Sequence, residues 1–215
     1  MPPITELLAW HLGEDRPPVV LPVALPAPYR LELVHRYEEP TFTECLDEVF
    51  FGPTGSVRMT DLGFSEDADL LAFRRAQLTS RPTLRLALRH GQELAGWSFG
   101  FADRPNAFFM ASSAVRAPHR RRGFYSVMAQ TLVDLARQGG FHFVHSRHVC
   151  TNNPILIAKL KLGFRVTGLE LAAQWGSLLA LEMPLSAERE ALLLARSGQT
   201  RMSPAIAATL SEDRG

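Results

Sequence analysis

Arg120, Arg121, Arg122 and Gly123 stand together in AVRAPHRRRGFYS, residues 114–126, between a stretch that reads as a strand and one that reads as a helix. The first turn of a helix leaves backbone N–H groups unpaired and carries a partial positive charge, so it favours a phosphate. Glycine at 123 lets the backbone approach an oxygen without a Cβ in the way, and the guanidinium groups add positive charge. An arginine triplet taken by itself is as readily a solvated face. Its place between strand and helix is what turns the reading toward phosphate. The spacing is neither a P-loop, since GxxxxGK[ST] is absent, nor the three-glycine dinucleotide fingerprint.

His142, His145 and His148 lie in FHFVHSRHV, which reads as a strand. Period-two alternation puts His142 and His148 on one face and His145 on the other. A neutral imidazole accepts a proton near pH 7, although a strand histidine is as often a packed, hydrogen-bonded residue. Glu39 and Glu170 are weaker candidates for a base. Lys159 and Lys161 are the chain's only lysines. At about 100° per residue, Lys159 falls between Ile155 and Leu156 and beside Leu162, on an apolar sector. A lysine there must snorkel, pair with a phosphate or lower its pKa. The two cysteines, Cys45 and Cys150, are too few for a disulfide framework and have no metal-ligand spacing. No metal site is expected, and Cys150 reads as structural.

These groups need a scaffold. TLRLALRHG, ELAGWSFGFA and NAFFMASSAV, from residue 83 to 115, alternate as three strands joined by turns at Gly91 and Arg104-Pro105-Asn106. Gly123 to Arg137 is helical, with Phe124, Val127, Met128, Leu132 and Leu135 on one face and Gly139-Gly140 as the stop. Asn152 to Leu162 is a second helix, FRVTGLELAAQ and SLLALEM are two final strands, and Ser186 to Arg196 is a short helix. Upstream, Tyr29 to Arg36 alternates as a strand and Ile4 to Leu12 as a helix. Between them five of the fifteen prolines fall from Pro17 to Pro28, an extended arm that hugs an edge or links. Thr41-x-x-Glu44 has the pattern of a capping box, and Ser65 with Glu66 and Asp67 that of another helix start. Residues 38–69 hold nine acids against one base, Arg58; capping accounts for part of them, and the rest would make a rim for a cationic substrate. Three parts follow: 1–28, an N-terminal helix and proline-rich arm; 29–185, a mixed α/β (α+β) domain; and 186–215, a short helix and loose tail.

Composition narrows the function. With 46% hydrophobic and 21% charged residues, the 215-residue chain buries a full core. Its net charge of +1 argues against a surface built for nucleic acid or anionic membrane. The N-terminus lacks the cationic and apolar regions of a secretory signal, and the apolar run from Val19 to Ala27 is broken by Pro22 and Pro26. A soluble cytoplasmic protein, without a nucleic-acid or membrane partner, is expected.

The arginine–glycine stretch and a second one thirty residues on share a family pattern. Arg120-Arg121-Arg122-Gly123-Phe124-Tyr125 resembles the Q/R-x-x-G-x-G/A acyl-CoA motif of the GNAT superfamily of N-acetyltransferases. Asn152 to Phe164, NNPILIAKLKLGF, is similar to that family's N-x-x-A-I-x-L-Y-x-K-L-G-F, with Asn152, Lys161, Leu162, Gly163 and Phe164 in register. The resemblance covers about residues 82–185. It implies a mixed, largely antiparallel sheet splayed between two central parallel strands, residues 107–116 and 141–149, with helices on both faces. It also implies acetyl-CoA as co-substrate, its pantetheine inserted into the splay. Ala114 and Val115 would offer backbone hydrogen bonds to pantetheine, Arg120, Arg121, Arg122, Gly123, Phe124, Tyr125 and Ser126 would surround the pyrophosphate, and Asn152 would sit near the cofactor's arm. Tyr125 replaces the usual small residue, and Lys159 the tyrosine that often protonates the departing thiolate.

The implied reaction moves an acetyl group to an amine, from a small molecule or a peptide. The amine must lose its proton, since an alkylammonium with a pKa near 10.4 has no free lone pair. The oxyanion needs donors, and the thiolate benefits from an acid. His148, nearest the strand end where the family places the reacting carbonyl, is the expected base, and Lys159 the expected acid. A non-catalytic acyl-CoA-binding sensor is the alternative. A homodimer would form through the proline arm or the tail.

Overall fold

The computed structural model describes residues 16–51, 69, 81–173, 175–198 and 204. Its strands are β1 (Val19–Val20), β2 (Tyr29–Leu33), β3 (Thr83–His90), β4 (Glu93–Arg104), β5 (Ala107–Val115), β6 (Phe143–Val149), β7 (Arg165–Ala172) and β8 (Gly176–Pro184). The helices are α1 (Thr41–Phe50), α2 (Phe124–Gln138), α3 (Asn153–Lys161) and α4 (Ala187–Arg196). One sheet runs in the order β1-β2-β3-β4-β5-β6-β8-β7, and within it the pair β5–β6 is parallel while the other neighbours are antiparallel. The mixed α/β class and the splayed central pair are as the sequence implies.

Helices cover both faces. On one, the stripe Phe124, Met128, Leu132 and Leu135 of α2 packs with Leu86, Phe108, Met110 and Val144 of the sheet and with Leu156 and Phe164. Each such side chain contributes about 2 kcal/mol by leaving water. On the other, Phe42 and Cys45 of α1 pack with Ala87, Trp97 and Ala114. Burial on both sides explains why β5 opens on an almost unbroken apolar run, AFFM, rather than an alternation.

Two local expectations need correction. The Thr41–Glu44 capping box does not form. Pro40 is the N-cap, Thr41 is already inside α1, and Pro40 has no side-chain acceptor with which to cap the helix. The Glu39 carboxylate instead accepts from Thr43 N at 3.2 Å and Thr43 Oγ1 at 2.8 Å, placing negative charge at the positive helix end. His142 does not share a strand face with His148, because β6 begins at Phe143. Asn106 O accepts from both His142 N and Phe143 N and ties the chain down before the strand starts. Of the acids expected to make a rim, Glu38 pairs with Arg89 at 2.8 Å and Glu48 with Arg116 at 3.0 Å, while Asp61, Glu66 and Asp67 lie outside the described residues.

The proline arm lies along the sheet edge over residues 19–21. Val19 and Val20 pair with Leu33 and Glu32, and Leu21 N donates to Leu31 O. Prolines suit such an outermost strand, whose free side needs no donor. The predicted helix at residues 4–12, the helix start at Ser65 and most of the C-terminal tail lie outside the described residues.

Candidate active site

β5 and β6 pair over three residues: Ala107 with Phe143, Phe108 with Val144 and Phe109 with His145. Beyond them β5 runs on to Val115 with β4 as its only strand neighbour among the described residues, and β6 runs on to Val149 beside β8. The cause of the parting is local. Phe99 pairs with Ser112 and Gly100 with Met110, so Ala111 is an extra residue in β5, a bulge that bends the strand away. Gly100 permits the bend. A Cβ there would lie in sub-contact range of Phe109 O and 2.5 Å from the Phe108 ring.

A cavity of about 650 Å³ occupies the opening. Its walls are the end of β5, the loop and first turn of α2, the start of α3 and the last residues of α1. Ala114 and Val115 contribute a strand edge to which no strand among the described residues pairs on the β6 side. Gly123 caps α2 at φ 80° and, having no side chain, brings no side-chain cap to that first turn. Arg121 is also left-handed, at φ 61°, so the chain coils tightly into the helix start.

The cavity wall brings together Ala114, Val115, Arg120, Arg121, Gly123, Phe124, Tyr125, Ser126 and Asn152. Arg122 is not on it; its guanidinium lies 5.7 Å over the Tyr29 ring. Arg120 is partly engaged, with Nε donating to Val115 O at 2.8 Å. His119, Val49 and Phe50 also line the wall and were not read from the sequence. His119 directly precedes the arginines and was within reach of the motif; α1 lies some seventy residues upstream and carries no signal of its place here.

Two features suit the cavity to a polar, extended ligand. The Tyr125 hydroxyl is buried without a hydrogen-bond partner among the described residues, and burial pushes its ionisation upward. Such an orphan costs about 1–3 kcal/mol until a partner arrives. Asn152 begins α3 without spending its side chain on a cap.

The expected proton carriers lie off the wall. Lys159 is 1% exposed; its Nζ is 2.9 Å from Met110 Sδ and 4.0 Å from the Phe164 ring centroid. Burial pushes its pKa down to about 7. His148 Nε2 lies 3.1 Å from Ser146 Oγ, and burial, then the nearby Lys159 charge, lowers its pKa to about 4. Glu170 pairs with Arg147 at 2.9 Å, and Cys150 is a half-buried free thiol.

No helix among the described residues is long and apolar enough to cross a membrane, and no His, Cys, Asp and Glu cluster among them has a metal-binding arrangement. A family model described as the acetyltransferase (GNAT) family matches residues 41–164, more than half of the chain. No curated protein matches it. Among solved structures it is similar to an Acinetobacter baylyi protein described as an acetyltransferase (16% identity, 73% of this chain and 92% of that one, TM-score 0.54). It is also similar to yncA of Salmonella typhimurium with its cofactor acetyl-CoA (19%, 67% and 87%, TM-score 0.51). A Bacillus subtilis acetyltransferase in complex with CoA gives 18% identity over 74% and 99%, with a TM-score of 0.50. At these identities the likeness is one of fold. The family match joins the splayed sheet, the bulge in β5 and the open start of α2, and with them the chain belongs to the GNAT family of acetyltransferases.

Proposed function

We propose that the protein transfers an acetyl group from acetyl-CoA to an amine, on a small molecule or a peptide. The observation that carries this is the cavity in the splay, where the unpaired edge of β5 meets the uncapped first turn of α2. Bound acetyl-CoA supplies a thioester carbonyl open to attack by an amine. The N–H groups around Gly123 to Ser126 and the Arg121 guanidinium face its pyrophosphate, as a helix start suits a phosphate. Ala114 and Val115 pair with the pantetheine amides as they would with a strand, and Tyr125 Oη and the Asn152 amide gain partners. On the α2 side of the splay, Lys159 with a pKa of about 7 exchanges a proton at neutral pH, and His148 is neutral there.

A second reading, acyl-CoA sensing without transfer, draws on Lys159. Its ammonium nitrogen lies against Met110 and Phe164 rather than on the cavity wall.

The test is the thermal midpoint with and without acetyl-CoA. At a hundred times its dissociation constant a ligand stabilises by about 2.7 kcal/mol, a rise of roughly 5–10 °C for a chain of this size. Arg121→Glu and Gly123→Glu are expected to abolish the rise, the second because a carboxylate meets the phosphate and a side chain must adopt φ 80°. No rise in the folded wild type would remove both readings. A rise without thiol release to any amine would favour the sensor.

A further inference from the structure

The α1 face of the sheet carries titratable groups that the cofactor cavity leaves unused. In β4, Ala102 pairs with Phe108 and Arg104 with Ala107, so Asp103 is an extra residue. A bulge re-aims the side chain it carries. Here the Asp103 carboxylate reaches over β5, with Oδ2 3.1 Å from His145 Nε2 on β6. His145 pairs with Phe109, the rung after which β5 and β6 part. Its ring stands 5.0 Å from Phe109, and Phe109 stands 5.5 Å from Phe101, so an aromatic wall flanks the imidazole.

Alternation along β6 sets His145 on the opposite face from Val144, Ser146 and His148. β6 thus carries a histidine on either face: His145 on the closing rung, beside Asp103, and His148 three residues beyond it, beside Ser146 and Lys159. An extended ligand anchored at the start of α2 and laid back along β5 from Val115 meets the closed end of the splay at the Ala111 bulge. Its reacting end then lies one residue or two from the Phe109–His145 rung.

We propose that His145, oriented by Asp103, is the catalytic base of the transfer, and that the acceptor amine enters from the α1 face. This rests on the acetyl-transfer reading above. The amine lone pair forms the bond to the thioester carbonyl carbon, and the carbon–sulfur pair leaves with sulfur. One proton passes from nitrogen to His145, which releases it to water; the departing sulfur takes one in exchange, so nitrogen loses and sulfur gains a single proton.

The groups facing His145 are Asp103 and Arg104 from β4, Arg147 on its own strand and Glu182, its partner on β8. Asp103 also lies 3.6 Å from Arg104 and 3.8 Å from Arg81. Burial holds His145 below the usual 6.5; Asp103 opposes this, and Arg104 and Arg147 add to it. The imidazole is therefore neutral at pH 7, as a base must be. Activity is expected to fall on the acid side only below pH 6.5.

The test uses the full chain, acetyl-CoA, and phenethylamine, spermidine and a lysine-containing peptide as amines, read by thiol release across pH. His145→Gln should keep the acetyl-CoA thermal rise yet lose at least about a hundredfold in kcat, within the usual range for a general base, and its acid limb should vanish. Asp103→Asn should lose about tenfold and move the limb to lower pH, because the carboxylate that raises the imidazole pKa is gone. Added imidazole should restore part of the activity of His145→Ala, which a packing role would not allow. A His145→Gln enzyme as fast as wild type, a larger loss in His148→Gln, or a wild type that binds acetyl-CoA but acetylates none of the amines would each overturn the proposal while leaving the cofactor site standing. Loss of the thermal rise in wild type would instead sink the acetyl-transfer reading and this inference with it.

Discussion

Lys159→Met is expected to melt well above wild type at pH 7, by an amount that shrinks as pH rises. The wild-type ammonium is buried against Met110 Sδ and the Phe164 ring, and among the described residues no carboxylate pairs with it. Burial lowers its pKa from 10.5 to about 7. Below pH 7 the folded and unfolded chains both hold the proton, so the full cost of burying a charge falls on the fold. Between pH 7 and 10.5 the unfolded chain binds the proton and the folded chain does not, so wild-type stability climbs by up to about 1.4 kcal/mol per pH unit. Above 10.5 both forms are neutral and the difference disappears. Methionine keeps an unbranched side chain, one atom shorter, and removes the charge, so the variant should gain about 3–5 kcal/mol at neutral pH and lose the slope. Urea unfolding from pH 6 to 10 measures both. Parallel curves for the two proteins would mean that the buried nitrogen does not titrate there. The same variant tests the acid role. Turnover that falls while the acetyl-CoA thermal rise persists would place Lys159 in the proton path, and unchanged turnover would remove it.

The lysine also shows where sequence reasoning reaches and where it stops. Its place on an apolar sector followed from helical spacing alone, because neighbours three and four residues away share a face. Which of three fates it met depended on Met110, forty-nine residues back on another strand, and no local pattern reports such a contact. The strands from Thr83 to Val115 were legible for the same local reason, as were the strand–helix junction at Gly123 and the start of α3 at Asn152. The Thr41 capping box failed because two helix-start devices compete within three residues, and Glu39 reached the Thr43 N–H group first. Bulges at Asp103 and Ala111 have no residue signature at all, since they exist only as a mismatch between two strands. The Asp103–His145 pair depends on one of them, so it was invisible until the register of β4 on β5 was known. The cavity wall was legible where it is built from one continuous motif, from Ala114 to Ser126, and illegible where α1 closes it from a distance.

Gly100→Val is expected to be the most disruptive single change in the sheet, and to remove acetyl-CoA binding together with stability. At this position β4 must lie close against β5, since an added Cβ would meet Phe109 O in sub-contact range and the Phe108 ring at 2.5 Å. The ring is 0% exposed and packs against Phe141 in the main core, so it has little room to turn away. The carbonyl belongs to the strand itself and moves only with it. Overpacking of this kind costs about 1–3 kcal/mol where side chains yield, and more where backbone must; at least about 3 kcal/mol is expected here. The strand that would be displaced is the one whose Ala111 bulge opens the splay and whose far end, Ala114 and Val115, lines the cavity. Gly100→Ala, with the same Cβ and no branches, should lose less stability but follow the same order. Urea midpoints and the acetyl-CoA thermal rise, measured on both, separate the effects. If the alanine variant folds with its midpoint unchanged and still gains the full rise from acetyl-CoA, the close approach at Gly100 does not set the geometry of the opening. If it folds with a lowered midpoint and the rise is lost, the path from a missing side chain on β4 to the ligand-binding edge of β5 is established.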